Sequence, residues 1–373
     1  MSNPSQTVGR PPSKRTRVLS HLRQEIAEGR FPPGSRLPTR IELEERFQAS
    51  TETIQQVFNR LTHDGLVKSR GKLGTFVVPH PPHLCHYGLV FSAHPWVAGW
   101  RRLDTALRSV ASNMDKFDAS KMHFYYDITG RPETLVEQRR LLADVRAHRL
   151  AGVIFVTDPP NELVEALAAQ SPPPVVAIMG RASIPGVTAV SLGEHFVTKA
   201  IEYLAGRGRR RVAFLNAWRH WPELARSWED ALRSIAAANG MTTEPHWMLT
   251  AHLASAGSVC NVIRLLFERG RNNRPDSLFV TDDNLVEHAG AGLAAEAVRV
   301  PEDVDVVAHC NFPLLPPSIV PVKRLGSDAR EVLARCIDII DGKRRGEVAP
   351  EQVYIQAKFD DEVSLQVEEI SGS

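Results

Sequence analysis

Only 4 cysteines occur in 373 residues, Cys85, Cys260, Cys310 and Cys336, and none forms a C-x-x-C pair. That scatter argues against a zinc site and a disulfide framework and fits a reducing cytoplasm. Nowhere does an apolar run approach the roughly 20 residues that cross a bilayer, so no membrane partner is expected. No apolar stretch follows Met1; MSNPSQTVGRPPSKR is polar, basic and proline-containing. It reads as a disordered tail over residues 1–14 rather than a signal peptide. The nucleophile elbow G-x-S-x-G, the metalloprotease H-E-x-x-H and the phosphate loop G-x-x-x-x-G-K-[ST] are all missing. Neither an enzyme nor a cofactor is expected.

Net charge is nearly missing too, at +2, but what charge there is lies unevenly. Residues 1–80 hold 13 Lys/Arg against 7 Asp/Glu, and the remainder 32 against 36. A small basic part on a large, mildly acidic part suits a nucleic-acid-binding head on a separate body. The length fits two or three domains.

The head is the best-marked stretch. Val18, Leu22 and Ile26 recur at helical spacing, and Phe31-Pro32-Pro33-Gly34 ends that helix. Thr39 with Glu42 three residues on forms a capping box for a second helix, which buries Leu43 and Phe47. Ser50 caps a third, with Ile54, Val57, Phe58 and Leu61 inward and Thr51, Glu52, Thr53, Gln55 and Gln56 outward. Two short strands, from Leu66-Val67 and through Thr75-Phe76-Val77-Val78, flank the basic tip Lys68 to Gly74. Residues 15–79 therefore read as a winged helix-turn-helix, whose third helix enters the major groove of double-stranded DNA.

Residues 15–78 resemble the GntR-type winged helix. The resemblance runs through Gly34, Leu37, Pro38, Leu43, Phe47, Ser50, Thr53, Ile54, Leu61, Gly65, Leu66, Val67, Gly74, Thr75, Phe76 and Val77. It implies DNA contacts at Arg36, Thr39, Arg40, Ser50, Thr51, Thr53, Gln55, Gln56, Lys72 and Gly74. The chain departs from the family pattern with Arg40-Ile41 in place of Glu-Arg. Thr51 and Gln55 stand where arginines are common, and Leu73 sits beside Lys72 at the wing. Arginine reads guanine bidentately and glutamine reads adenine, so an unusual operator is expected. Each contact has a plainer reading beside it: Arg36, Arg40 and Lys72 as solvated surface, Thr51 and Thr53 as helix caps.

Residues 80–86, beginning His80-Pro81-Pro82-His83, read as a short stiff linker. From residue 87 apolar strands alternate with helices. Strands are expected at Gly88–Phe91, His123–Tyr126, Gly152–Val156, Val175–Met179, Arg211–Leu215, Ser277–Thr281, Val304–Ala308 and Val353–Ala357. That rhythm predicts an α/β body with parallel sheets covered on both faces. Arg274-Pro275-Asp276 to Asp282-Asp283, with Arg299-Val300-Pro301-Glu302-Asp303, resembles the effector domain of the LacI/GalR family. Ala200 to Leu204 with Gly208 to Phe214 resembles it as well. The resemblance implies a two-lobed, periplasmic-binding-protein-like fold over residues 87–373. Its first lobe is expected over about 87–208 and 320–342, its second over about 209–319 and 343–373.

Such folds bind a small molecule between the carboxyl ends of their strands. By position, Asp283 matches the family's hydroxyl-binding aspartate and Arg226 its ligand-facing arginine. Ser92, His94 and Trp96 follow the first strand, and Trp218, His220 and Trp221 add aromatic candidates. An Arg/Asp pair with an aromatic wall suits a polyhydroxylated ligand. The alternatives are Asp283 as a helix cap, Arg226 as a surface ion pair and the tryptophans as core. The family's aspartate near Ser191 or Leu192 is missing, a departure that bears on a standard sugar. The reading is a homodimeric repressor on a palindromic operator, switched by a sugar or related polar metabolite. The rival is a regulator whose body binds no small molecule and serves dimerisation or protein docking.

Overall fold

The computed structural model describes residues 13–97, 100–114, 120–128, 135–168, 173–178, 184–217, 222–270 and 273–363. The tail expected over 1–14 lies outside these but for Ser13 and Lys14, which cap and open the first helix. The head comprises α1 (Lys14–Ala27), α2 (Arg40–Phe47), α3 (Thr51–His63) and a wing of β1 (Val67–Ser69) and β2 (Thr75–Val77). Helices of 8 to 14 residues are marginal alone, so their packing holds them. Val18, Leu22, Ile26, Leu43, Ile54, Val57 and Leu61 form one core with Val77 of the wing. Both expected caps are present. Thr39 and Glu42 satisfy each other's backbone N–H groups at 2.6 and 3.3 Å, and Ser50 accepts from Thr53 at 3.3 Å.

The linker is a built element. Pro82–Cys85 forms a helical turn, α4, with Pro82 and Cys85 buried, and His86 already opens a strand. Beyond it stand two six-stranded sheets. Lobe 1 pairs β3 (His86–Val90), β4 (Lys121–Tyr125), β5 (Gly152–Phe155), β6 (Val175–Ile178), β7 (Val187–Glu194) and β13 (Gln352–Gln356). The order is β13-β7-β6-β5-β3-β4, every pair parallel. Helices α5 (Arg102–Met114) and α12 (Ala329–Arg344) cover one face. Helices α6 (Leu135–Arg146) and α7 (Asn161–Ala168) cover the other.

Lobe 2 holds β8 (Val212–Ala217), β9 (Met248–Ala251), β10 (Ser277–Val280), β11 (Asp305–Phe312), β12 (Lys323–Asp328) and the short antiparallel β14 (Lys358–Phe359). Its faces are covered by α8 (Phe196–Gly206) with α9 (Pro222–Ala238), and by α10 (Ser258–Phe267) with α11 (Val286–Ala295). The division between lobes differs from expectation at three places. Helix α8 packs on lobe 2 through Val197, Ala200, Ile201 and Leu204. Strand β12 joins the sheet of lobe 2, and β13 that of lobe 1. The chain thus crosses between lobes after β7, β12 and β13. Apolar strands carry no mark of which sheet they will join, so sequence pattern alone does not fix the crossing points.

Head and lobe 1 meet at a buried carboxylate. Asp64, which ends α3, has no exposed side-chain surface. It accepts from Arg23 of α1, and from Arg149 of lobe 1 through Nε at 3.1 Å and through a second guanidinium nitrogen. Arg60 Nε lies 3.3 Å away. Arg149 also donates to Asp144 at 2.9 Å, which accepts the Tyr125 hydroxyl at 2.8 Å. Burial pushes the Asp64 carboxyl up, but the guanidinium groups outweigh it and hold it below the usual range. Asp64→Ala removes the buried carboxylate that the partly buried Arg23 and Arg149 share and is expected to cost about 3 kcal/mol, read from urea unfolding. Because the folded pKa is depressed, this stabilisation is full above the unfolded aspartate value, about 4. It fades as pH falls through the folded value, and the Asp64→Ala variant lacks that fade.

Candidate functional site

Two surfaces carry the chemistry. On the head, the turn before α2, the outer face of α3 and the wing enclose a recess of about 250 Å³. Arg36, Thr39, Arg40, Gln55 and Gly74 line it, half of the residues expected to face DNA. Thr51, Gln56 and Lys72 are exposed outside its lining. Ser50 and Thr53 are tied to each other by the cap, with 2.9 Å between their hydroxyl oxygens. The two glutamines are engaged along their own helix: Gln55 donates to Asn59 at 2.9 Å and Gln56 to Glu52 at 3.2 Å. Asn59 was not singled out from the sequence, although it lies one turn beyond Gln55 on the same face. Ile41 and Leu73, at family arginine positions or beside them, are 74% and 67% exposed.

Gly74 has a specific task. Its φ is +108°, and an added Cβ would lie 2.7 Å from Arg36 Nε. Glycine there lets the arginine lie against the wing.

Between the lobes lies a cavity of about 500 Å³. Arg101 and Leu103 reach it from the start of α5, and Leu192 and Gly193 from the end of β7. Lobe 2 supplies the rest from the carboxyl ends of β10, β11 and β12: Thr281 to Asn284, His309, Asn311 and Ser327. Phe196 of α8 and Trp228 of α9 form aromatic walls. The centre is Asp283, 3% exposed. It accepts from Asn311 Nδ2 at 2.9 Å, with Arg102 Nε at 3.6 Å and His309 Nδ1 at 3.8 Å. The last two are ion-pair separations rather than hydrogen bonds. Burial pushes Asp283 up, yet His309, Asn311 and Arg102 together hold it below the carboxylate range. Burial alone would depress His309; Asp283, helped by Asp282, raises it instead.

A second buried polar group stands alongside. Asn216 accepts from Trp228 Nε1 at 3.1 Å and from Thr281 at 2.9 Å, while its own Nδ2 is buried without a partner among the described residues.

Of the five expected ligand residues that are described, Asp283 alone is placed in this cavity's wall. Ser92 and His94 are half-buried outside the lining, His94 packing edge-on to Tyr126 at 5.1 Å. Trp96 is 86% exposed, and Arg226 is exposed on α9. Trp218 and Trp221, with His220, lie outside the described residues. His309 and Asn311 were missed, though their signal was there: two polar residues spaced by two at the end of the apolar strand DVVAHCNF.

Comparisons with known proteins follow this division. Residues 14–77 match the model of bacterial regulatory proteins of the gntR family, and residues 201–357 that of the periplasmic binding protein-like domain. The uncharacterized HTH-type transcriptional regulator YhdI of Bacillus subtilis is 35% identical over 65 residues, 17% of this chain and 14% of the relative. The HTH-type transcriptional repressor PurR of Vibrio cholerae is 25% identical over 215 residues, 55% of this chain and 62% of the relative. The galactonate operon transcriptional repressor of Escherichia coli is 36% identical over 67 residues, 18% of this chain and 29% of the relative. The chain thus spans less than two thirds of each of these. Among solved structures, a LacI family transcriptional regulator of Lactobacillus casei with bound glucose is 20% identical, with a TM-score of 0.54, covering 74% of this chain and 97% of that one. A transcriptional regulator LacI from Bacillus cereus gives 16% and 0.56, over 74% and 96%.

Two outcomes are expected. Gly74→Ala strains the wing and displaces Arg36, costing about 1–3 kcal/mol in thermal unfolding and weakening retention on duplex DNA. The His309–Asp283 pair stabilises fully below the unfolded histidine value, about 6.5, and is lost as pH rises through the raised folded value. A urea midpoint followed from pH 6 upward therefore falls in the wild type and stays flatter in His309→Gln.

Proposed function

We propose that this chain, a GntR-type winged helix-turn-helix domain joined to a body with the fold of LacI-family regulators, is a ligand-controlled transcription regulator. The ligand is a small polyhydroxylated metabolite, a sugar or a close relative, held between the lobes. The observation that carries this is the buried carboxylate Asp283, in a cavity also lined by Asn311, Thr281 and Ser327 and by the aromatic residues Phe196 and Trp228. Hydroxyl groups need directed acceptors and donors, and a ring face needs an apolar plane. A cavity of about 500 Å³ with a buried carboxylate in its wall also speaks against a body that serves only protein docking.

A repressor acting as a homodimer on a palindromic operator fits the relatives named as repressors and the usual two-fold logic of such heads. An effector that prefers one lobe arrangement then biases the spacing of the two recognition helices.

The test is thermal unfolding of the full chain against monosaccharides, polyols and other small polar metabolites. A ligand that binds only the folded protein raises the midpoint, by the equivalent of about 2.7 kcal/mol at a hundred times its Kd. Asp283→Ala and Asn311→Ala are expected to weaken the hit about 10- to 100-fold. A hit that survives both substitutions, or silence across the panel, overturns the assignment of the cleft.

A further inference from the structure

Arg102 opens α5 in lobe 1, yet all of its side-chain contacts given by the structure lie on lobe 2. Its backbone N–H donates to Asn284 Oδ1 at 3.3 Å, and its Nη2 donates to the Leu315 carbonyl at 2.9 Å. Its Nε, buried and without a hydrogen bond, points to Asp283 Oδ2 at 3.6 Å. The neighbouring Arg101 does the opposite: its guanidinium turns back to Asp104 within lobe 1, with bonds of 3.0 and 3.1 Å. Of the two adjacent arginines, Arg101 lines the cavity but makes its side-chain hydrogen bonds inside its own lobe, while the Arg102 side chain bonds across the cleft. The loop it holds touches lobe 1 a second time, through Leu314 packed against that lobe's core.

We propose that Arg102 is a latch across the cleft, a positioning residue that holds the lobes closed before any effector arrives. This rests on the cleft being the effector site, but the latch itself requires no effector. A guanidinium bond to a carbonyl, with a carboxylate just beyond hydrogen-bond reach, biases closure without completing it. An effector hydroxyl accepted by Asp283 would fill the remaining capacity of that carboxylate and add to the same closed state. A protein already biased to the closed form loses less apparent affinity to conformational selection.

The experiment compares unliganded wild type with Arg102→Ala, Arg102→Lys and Arg108→Ala by hydrogen exchange and small-angle scattering of the full chain. Arg108 is exposed on the same helix and controls for loss of one charge. In Arg102→Ala the amides of Asn284, Leu285, Leu314 and Leu315 are expected to exchange about tenfold faster, and the radius of gyration to grow. Arg102→Lys, which keeps the charge but not the planar fork, falls between. Amides of β10 in the core of lobe 2 stay at wild-type rates, which separates an opened latch from general destabilisation. If Arg102→Ala does not fold, the lysine variant decides alone. Wild-type exchange and scattering in the Arg102 variants, or a rise shared equally by β10, overturns the proposal. Since no effector is present, an incorrect assignment of the cleft leaves this result standing on its own.

Discussion

Parallel pairing is the constraint on which the rest of this body depends. In a parallel sheet every strand points the same way, so one edge collects all the carboxyl ends and the other all the amino ends. Both lobes are built this way, apart from the two-residue β14. The carboxyl edge of lobe 2 delivers Thr281, Asp283, His309, Asn311 and Ser327 to one place, although they lie on three strands spread over nearly fifty residues. Lobe 1 presents Leu192 and Gly193 from the corresponding edge. The cleft follows from strand direction before any side chain is chosen.

The amino edge of lobe 1 serves the head. Arg149 and Ala151, just before β5, and Pro173 and Pro174, just before β6, lie on the side where Asp64 and α1 dock. The cleft end and the head end of this lobe are therefore opposite poles of one sheet, and α12 runs between them. Ser327, two residues before it, lines the cleft; Lys343 and Arg344 at its other end lie against the head side. Sixteen residues make a rod of about 24 Å. Val332, Leu333, Cys336 and Ile340 bury it against the sheet, and it approaches β5 so closely that a Cβ on Gly152 would meet Ile340 at 2.4 Å. Packing that close transmits strain between helix and sheet.

The head was nearly legible from sequence because its signals are local. The Thr39–Glu42 box, the Ser50 cap and the inward spacing of Ile54, Val57 and Leu61 each involve residues within one or two turns. The α/β class was legible for a similar reason, since short apolar strands alternate with helices. What pattern could not give were pairings distant in sequence: β12 to lobe 2, β13 to lobe 1, α8 across to lobe 2. The cleft was legible only where family position pointed, at Asp283. Its partners Asn311 and His309 follow 28 and 26 residues later and are joined to it by the β10–β11 pairing, which no spacing rule encodes.

Burial alone does not distinguish Asp283 from the other carboxylates; hydrogen bonding does. Among the described residues Glu25, Asp64, Asp104, Asp283 and Asp305 are all at most 5% exposed. Four of them are held directly by arginine. Arg46 reaches Glu25 at 2.7 Å, Arg101 reaches Asp104 at 3.0 Å, Arg209 reaches Asp305 at 2.6 Å, and Arg23 and Arg149 close on Asp64. Those four have the geometry of structural ion pairs, in which desolvation is offset by charge-assisted bonds. Asp283 is held at hydrogen-bond distance by neutral amides alone, Asn311 at 2.9 Å and Asn284 at 3.5 Å, and its nearest guanidinium stands at 3.6 Å. A carboxylate offers about four acceptor sites, and leaving them unfilled in a buried place is costly. Among these five buried carboxylates the fold accepts that cost at Asp283, in the wall of the interlobe cavity, where under the proposed function the hydroxyl groups of a bound molecule supply the missing donors.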